Sequence, residues 1–262
     1  SRNFLNLVRN SAGLNKVIVL IISFLMTLLL SGPGEEVASN CILNPPLPDH
    51  SVWSAELKKY VSADGKVNYR VWANNQTALD GYLAQLAGTQ PLSNWSTNVQ
   101  LAYWINVYNA YTVKLVLQHY PVQTIKDIYQ GNPWDKAWIT LDGKTYSLNQ
   151  IENEYIRQRF RDPRIHFALN CGALSCPPLL NEAYDPARLD TQLISRTKAF
   201  IADQYQNQTA ASTIRLSQLF IWYKDDFKPD VISFLNTYLE IPIPVDAKIE
   251  YVEYDWSLNS EK

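Results

Sequence analysis

The sequence predicts an α+β fold, a single mixed domain in which helices pack on a small, mostly antiparallel sheet. Helical spacing of apolar residues dominates the chain, and short strand patterns interrupt it without regular alternation. Asp142-Gly143, between the short runs at residues 138–141 and 144–146, is the strongest hairpin signal. Of the 262 residues 47% are hydrophobic and 18% charged, which excludes a disordered chain, a collagen-like repeat and a coiled coil.

The formal net charge is −2, so the chain has no basic excess with which to hold a phosphate backbone. We therefore expect no nucleic-acid partner. Three cysteines are too few for a disulfide scaffold. No sequence pattern indicates a bound cofactor, and we expect none; the oligomeric state is left open.

The N-terminal residues 1–39 are predicted to be a signal peptide. A basic start precedes an apolar run at residues 17–30, which is shorter than the about 20 residues of a membrane span. Cleavage is expected before Asn40, which makes the protein exported, periplasmic or extracellular. The alternatives are an uncleaved anchor that contacts the membrane, and lipid attachment at Cys41. A proline-rich linker at residues 40–50 then leads to the domain, at residues 51–259.

The first half of the domain is predicted to be mainly helical. Apolar spacing indicates a helix at residues 53–61, a small strand at 66–71 and a second helix at 79–86 that ends at Gly88. The longest helix covers residues 96–119. It is apolar nearly all round, which is typical of a buried helix.

Asn106 and Asn109 interrupt the long apolar helix three residues apart, and hence on one face. A buried amide without partners costs about 1–3 kcal/mol, so both need hydrogen bonds. One interpretation is that they hold neighbouring loop backbone. The other is that they line a site, orient a catalytic side chain or donate to a developing oxyanion.

The second half of the domain mixes strands and helices. Ser147 and Gln150 have capping-box spacing and begin a helix predicted at residues 148–160. The other predicted elements are hairpin strands at 138–141 and 144–146, buried strand 164–170, helix 185–205, strand 214–216, helix 229–239 and strand 248–254.

The densest group of reactive side chains lies at residues 164–178, which include His166, Cys171 and Cys176. Thiol catalysis requires a thiolate, a base or cation that lowers its pKa, and a group that orients the base. Glu152 or Glu154, on the preceding helix, would supply the orienting carboxylate.

Spacing leaves three arrangements open. In one continuous strand His166 and Cys171 would be about 16 Å apart and on opposite faces. A turn at Gly172 would then bring Cys176 beside Cys171 as a disulfide. A bend at residues 169–170 would instead let Cys171 face His166 as a free nucleophile. Zinc bound by one histidine, two cysteines and a glutamate is the third arrangement.

The remaining histidines and tryptophans are predicted to be structural. His50 lies at the edge of the linker, and His119 ends the long helix, where a cation suits the helix dipole. Core packing is expected for the tryptophans, and a ligand-facing surface is the alternative. They are Trp53, Trp72, Trp95, Trp134, Trp138, Trp222 and Trp256.

Several phrases of this sequence occur together, in the same order, in a family of bacterial and plant proteins. They are LAYWINVYNA at residues 101–110, LNQIE at 148–152, RIHFALNC at 164–171, SCPP at 175–178 and YDWSLN at 254–259. The chain resembles the domain of unknown function 547 family over residues 51–259. The resemblance implies one domain with both cysteines, His166, Glu152 and the two asparagines among its hallmark positions.

The resemblance also implies similarity to papain-like or transglutaminase-like thiol enzymes. In the family pattern a histidine follows the Ile-Glu pair, whereas this chain has Asn153. If that histidine were the base, this protein would be impaired. With His166 as the base the departure is harmless.

The leading interpretation is an exported thiol hydrolase or acyl transferase that acts on an amide or peptide-like substrate of the cell envelope. Cys171 would be the nucleophile, with Cys176 second, His166 the base and Glu152 its orienter. Asn106 or Asn109 would stabilise the oxyanion. The competing interpretation is a non-catalytic envelope binding or structural domain, held by a Cys171–Cys176 disulfide.

Overall fold

Helices account for most of the regular secondary structure that the structure describes. The structure is a computed structural model that describes residues 47–89, 91–209 and 213–261. The predicted signal peptide, anchor and lipid-attachment cysteine lie outside these residues. Within the described ranges, no helix combines the length and the apolar character that crossing a bilayer requires.

The α+β prediction is confirmed, with helices dominating the described residues. The α-helices are α1 (Ser51–Tyr60), α2 (Tyr69–Trp72), α3 (Thr77–Ala87), α4 (Thr97–His119), α5 (Leu148–Gln150), α6 (Gln158–Phe160), α7 (Leu189–Ala202), α8 (Leu219–Trp222) and α9 (Val231–Asn236). The strands are β1 (Ile139–Leu141), β2 (Lys144–Tyr146), β3 (Thr213–Leu216) and β4 (Lys248–Tyr251).

The long helix α4 is the centre of the larger core, as its all-round apolar pattern predicts. The Ser96 hydroxyl caps its N-terminus by accepting a hydrogen bond from the Val99 amide. Nearly every residue of α4 from Val99 to Leu117 is buried. Trp53 and Trp72, from the first two helices, stack with their ring centroids 6.0 Å apart in the same core. The long helix is therefore a fixed scaffold for the segments around it.

The hairpin and the capping box are confirmed. β1 and β2 pair antiparallel, and both Asp142 and Gly143 between them have positive φ, as a two-residue hairpin turn requires. Ser147 and Gln150 bond each other's backbone amides and begin the helix at Leu148. This helix runs on to Phe160, but its middle part, Ile151–Arg157, is a π-helix.

Two predicted strands are wrong. Residues 164–170 begin as a 3₁₀ helix, Pro163–Phe167, because Asp162 accepts a hydrogen bond from the Arg164 amide and Pro163 suits a first helical position. In residues 66–71 only Val67 makes isolated bridges, after which the Asn68 side chain caps α2.

The strands form two separate pairs rather than one mostly antiparallel sheet. β3 and β4 pair in parallel, with Ile214 opposite Ile249. This pair packs with Phe167, α8 and α9 around a second, smaller core. Helix α7 begins at Leu189, later than predicted, because Asp185 closes a turn by accepting a hydrogen bond from the Ala187 amide.

Candidate functional site

The segment after the 3₁₀ helix folds back on itself instead of extending. Gly172 has a φ of +85°, which permits a turn that other residues adopt with strain. Asn170 holds the turn closed: its Nδ2 donates to the Pro177 carbonyl at 2.9 Å, and its Oδ1 accepts from the Gly172 amide at 3.0 Å. The turn brings Cys176 back beside Cys171.

Cys171 and Cys176 form a disulfide, with their Cα atoms 5.9 Å apart. The disulfide arrangement left open by the sequence is therefore the observed one, and neither sulfur is a free thiol in this structure. The Cys171 amide donates to the Cys176 sulfur at 3.1 Å, and the Tyr254 hydroxyl lies 3.3 Å from each sulfur. The described residues contain no group of three or more potential metal ligands among His, Cys, Asp and Glu.

His166 is buried, and its ring is oriented by Asp226 rather than by Glu152. Its Nε2 donates to Asp226 Oδ2 at 2.7 Å, and its ring stacks on Tyr223 with centroids 4.1 Å apart. Arg157 Nε donates to the same carboxylate oxygen at 2.8 Å. The hydrogen bond from His166 is the largest cause that lowers the pKa of Asp226, with Arg157 adding to it, so Asp226 is a carboxylate at neutral pH.

Glu152 lies in the π-helix and is buried, with 7% of its surface exposed. Its Oε1 accepts a hydrogen bond from the Tyr223 hydroxyl at 2.6 Å. Burial raises the pKa of Tyr223, Tyr108 and Tyr254, and the negative charge of Glu152 raises each of them further. Tyr223 and Tyr108 are therefore neutral hydrogen-bond donors to Glu152, and Tyr254 is a third neutral phenol near this carboxylate. Glu154, the other candidate carboxylate, is exposed.

Asn106 and Asn109 hold backbone. Asn106 donates to the Tyr184 carbonyl and accepts from the Tyr184 amide, both at 2.9 Å. Asn109 donates to the Ala168 carbonyl and accepts from the Asn170 amide, also at 2.9 Å. Asn109 therefore fixes the backbone between His166 and Cys171, and the amide groups of both side chains are occupied by main chain.

A cavity of about 180 Å³ lies against the disulfide. Both cysteines, His166 and Glu152 line it, so the structure brings four of the predicted site residues together. Its remaining polar side chain is Asn149, and its aromatic lining consists of Tyr108, Trp134, Trp222, Tyr223, Tyr254 and Trp256. Asn106 and Asn109 do not line it.

Trp222, Tyr254 and Trp256 form one continuous aromatic wall of this cavity. The ring centroids of Trp222 and Trp256 are 5.8 Å apart, and Tyr254 lies 4.8 Å from the first and 4.5 Å from the second. Trp134 continues the wall at 5.6 Å from Trp256. Trp222 is 46% exposed, which is unusual for so large an apolar side chain. Three of the tryptophans, Trp134, Trp222 and Trp256, thus line a cavity, whereas Trp53, Trp72 and Trp95 lie in the core.

The resemblance seen in the sequence has an independent counterpart. Residues 92–201 match the model of a family described as "Protein of unknown function, DUF547". Residues 92–201 are therefore similar to the DUF547 family. No curated protein and no solved structure matches the chain, so similarity to papain-like or transglutaminase-like enzymes stays a prediction.

The cavity extends beyond the DUF547 match. Both cysteines, His166 and Glu152 fall within residues 92–201, whereas Trp222 and Tyr254 of the lining, and Asp226 that orients His166, come from the chain that follows. Sequence reasoning missed Asp226, because it lies 60 residues from His166 in a short 3₁₀ turn without a recognisable spacing pattern. For Tyr254 and Trp256 the sequence did offer a signal, because both belong to the YDWSLN phrase that this chain shares with the family.

The remaining singled-out residues have structural contacts. His50 Nδ1 lies 2.7 Å from the Tyr82 hydroxyl, and burial is the main cause that lowers its pKa to about 4. His119 Nδ1 lies 2.9 Å from the Leu115 carbonyl within its own helix. Asn153, where the family pattern has histidine, donates to the Asn149 carbonyl and accepts from Arg157. Asn153 thereby supports the arginine that holds Asp226.

Proposed function

We propose that this domain is a binding domain of the cell envelope that takes a small ligand into the cavity beside the Cys171–Cys176 disulfide. The observation that carries the proposal is the disulfide itself. It engages both sulfurs, so the cavity offers aromatic surface and hydrogen-bonding groups but no free thiol nucleophile. Export to the periplasm or the cell surface, where disulfides persist, is part of the proposal.

Ligand binding can be tested through the tryptophans of the cavity. Small molecules typical of envelopes, namely short peptides, sugars and lipid headgroups, are screened on the full chain by tryptophan fluorescence and thermal unfolding. A ligand of this site loses affinity in Trp222→Ala. Ile221→Ala is the matched control, because Ile221 is its exposed neighbour and does not line the cavity. Equal loss in both variants, or no ligand from any class, counts against the proposal.

A thiol hydrolase or acyl transferase is the second candidate function, and it requires the disulfide to be reduced by a dithiol. One observation favours it: His166, oriented by Asp226, lines the same cavity as both sulfurs. The thiolate of Cys171, or of Cys176, would attack an amide carbonyl and form a thioester. The amine would leave with the proton held on His166, and water or an acceptor amine would then take the acyl group.

Redox state separates the two functions. Native protein is treated with iodoacetamide and digested without reductant, and the cysteine peptides are identified by mass spectrometry. An unlabelled peptide with an intact 171–176 link supports the binding domain; label on Cys171 or Cys176 supports the enzyme, whereas label on Cys41 is expected in both cases. Hydrolysis of an activated thioester, measured before and after dithiothreitol treatment, completes the test. Turnover that appears on reduction and disappears in His166→Gln supports the enzyme, and its absence rejects it.

A further inference from the structure

The Glu152 carboxylate is buried without a cationic partner. The neutral hydroxyls of Tyr223 and Tyr108 hydrogen-bond to it, and among the described residues it takes part in no ion pair. A buried charge without an opposite charge is costly, and proteins normally pair it. Glu152 also lines the cavity, so a ligand can reach it.

No cation pairs directly with Glu152 among the described residues, although Arg157 acts on it from a distance. Arg157 is a cation whose charge interacts with that of Glu152, and its guanidinium lies 4.7 Å from the centre of the Tyr223 ring. Its Nε is bonded to Asp226 and its Nη1 to Asn153, and Arg157 does not line the cavity. Arg157 thus pairs directly with Asp226, and Glu152 is the acidic side chain that the described lining of the cavity presents to a ligand.

The aromatic wall also favours a positively charged ligand. The faces of tryptophan and tyrosine rings are negative and attract cations, most strongly where water is excluded. Trp256 already holds one cation, because the Lys126 ammonium lies 3.7 Å from its ring centre. Lys126 does not line the cavity, so it does not compete for the space inside.

We infer that the cavity selects a compact organic cation, a quaternary or protonated ammonium group that contacts the aromatic wall and pairs with Glu152. This inference rests on the proposed binding function and names its ligand class. The volume of about 180 Å³ is below the about 300 Å³ at which drug-sized sites begin, which restricts the bound group to the size of a headgroup. An aromatic cage with one carboxylate is a known way to recognise quaternary ammonium groups.

The experiment compares choline with 3,3-dimethylbutan-1-ol, its neutral isostere, by calorimetry and tryptophan fluorescence on the full chain. We expect choline to bind at least ten-fold more tightly. Glu152→Gln brings choline affinity down to that of the isostere, and Trp222→Ala weakens both. Glu154→Gln is the matched control, because it removes an exposed carboxylate from the same π-helix and leaves choline affinity unchanged.

Each other outcome overturns the inference. Equal affinity for choline and the isostere, or choline binding that survives Glu152→Gln, shows that charge at Glu152 does not select the ligand. The wild-type comparison decides the question even if Glu152→Gln fails to fold. If neither probe binds while a sugar or peptide binds and loses affinity in Trp222→Ala, the ligand class is wrong and the binding function stands. If no molecule of any class binds, both fail.

Discussion

His166 donates a hydrogen bond to Asp226 at 2.7 Å, and the same carboxylate oxygen accepts from Arg157 at 2.8 Å. The interaction joins the 3₁₀ helix of the DUF547 match to a short turn that follows the match. One carboxylate therefore fixes both the imidazole and the guanidinium beside the cavity.

Asp226→Asn tests this junction. The variant loses the charge that pairs with Arg157 and His166, and we expect a loss of about 1–2 kcal/mol in the free energy of unfolding, since solvent partly screens the carboxylate. The pKa of Asp226 is lowered in the folded state, so its contribution is present above the ordinary aspartate pKa of about 4 and is lost as the pH falls below that value.

Urea unfolding of both proteins between pH 7 and pH 3 checks this expectation. The two stability curves should approach each other below about pH 4. Asp225→Asn serves as the control, because this neighbouring carboxylate is exposed and its loss should leave stability unchanged. A constant difference between wild type and Asp226→Asn down to pH 3 would contradict the assignment.

Asn109→Ala removes both hydrogen bonds that hold the backbone between His166 and Cys171. The Ala168 carbonyl and the Asn170 amide would remain buried without partners, and we expect a loss of about 2–4 kcal/mol. Asn106→Ala removes an equivalent pair at Tyr184 and should cost a similar amount. Only the Asn109 variant should increase labelling of the cysteines by iodoacetamide under mild reduction. Equal labelling in both variants would argue against a specific role of Asn109.

Reduction of the disulfide should lower stability. The bridged residues are 5 apart in sequence, and closing so short a loop stabilises the folded state by about 2 kcal/mol. A domain of this size should then melt about 4–8 °C lower in dithiothreitol. Replacing Cys171 and Cys176 together with serine should reproduce the shift and abolish the effect of dithiothreitol. A double variant that still responds to the reductant would place the sensitive bond elsewhere.

His50 should make the protein sensitive to mild acid. Its pKa is lowered to about 4 in the folded state, mainly by burial, whereas an exposed histidine has a pKa near 6.5. The unfolded chain therefore takes up a proton first as the pH falls, and stability is lost between about pH 6.5 and 4. At pH 5 the loss is about 2 kcal/mol.

His50→Gln should remove most of this pH dependence. Denaturant unfolding at pH 7 and pH 5 measures this dependence. The free energy of unfolding should differ less between the two pH values in the variant than in the wild type. The physical reason is that the second ring nitrogen, Nε2, is buried without a hydrogen-bond partner among the described residues. The protonated ring would therefore bury an N–H group that has no acceptor. If the free energy of unfolding fell by the same amount from pH 7 to pH 5 in both proteins, another group would control the acid response.

Local signals in the sequence predicted the parts of the fold that local chemistry determines. Asp142-Gly143 specifies a hairpin turn by its backbone preference, and Ser147 with Gln150 specifies a helix start by two reciprocal hydrogen bonds. The buried long helix follows from its apolar surface. In the site, the grouping of His166 with the two cysteines was visible because they are close in sequence.

The remainder depends on contacts that sequence spacing does not encode. A short apolar run such as residues 164–170 fits a buried strand or a helical turn equally well, and the hydrogen bond from the Arg164 amide to Asp162 decided for the turn. The partner of His166 lies 60 residues away, and Glu152 is bonded by Tyr223. No periodicity indicates which of two carboxylates reaches an imidazole across the fold.

The π-helix at Ile151–Arg157 determines which side chains share a face. On an α-helix two residues five apart point about 140° away from each other, whereas i→i+5 bonding brings them nearly into line. Glu152 and Arg157 are five apart, and both contact Tyr223, one at its hydroxyl and the other across its ring. On an ordinary α-helix residues four apart are the ones that share a face, so the π-helix lets the chain carry one additional residue between Glu152 and Arg157 without turning the anion away from the cation.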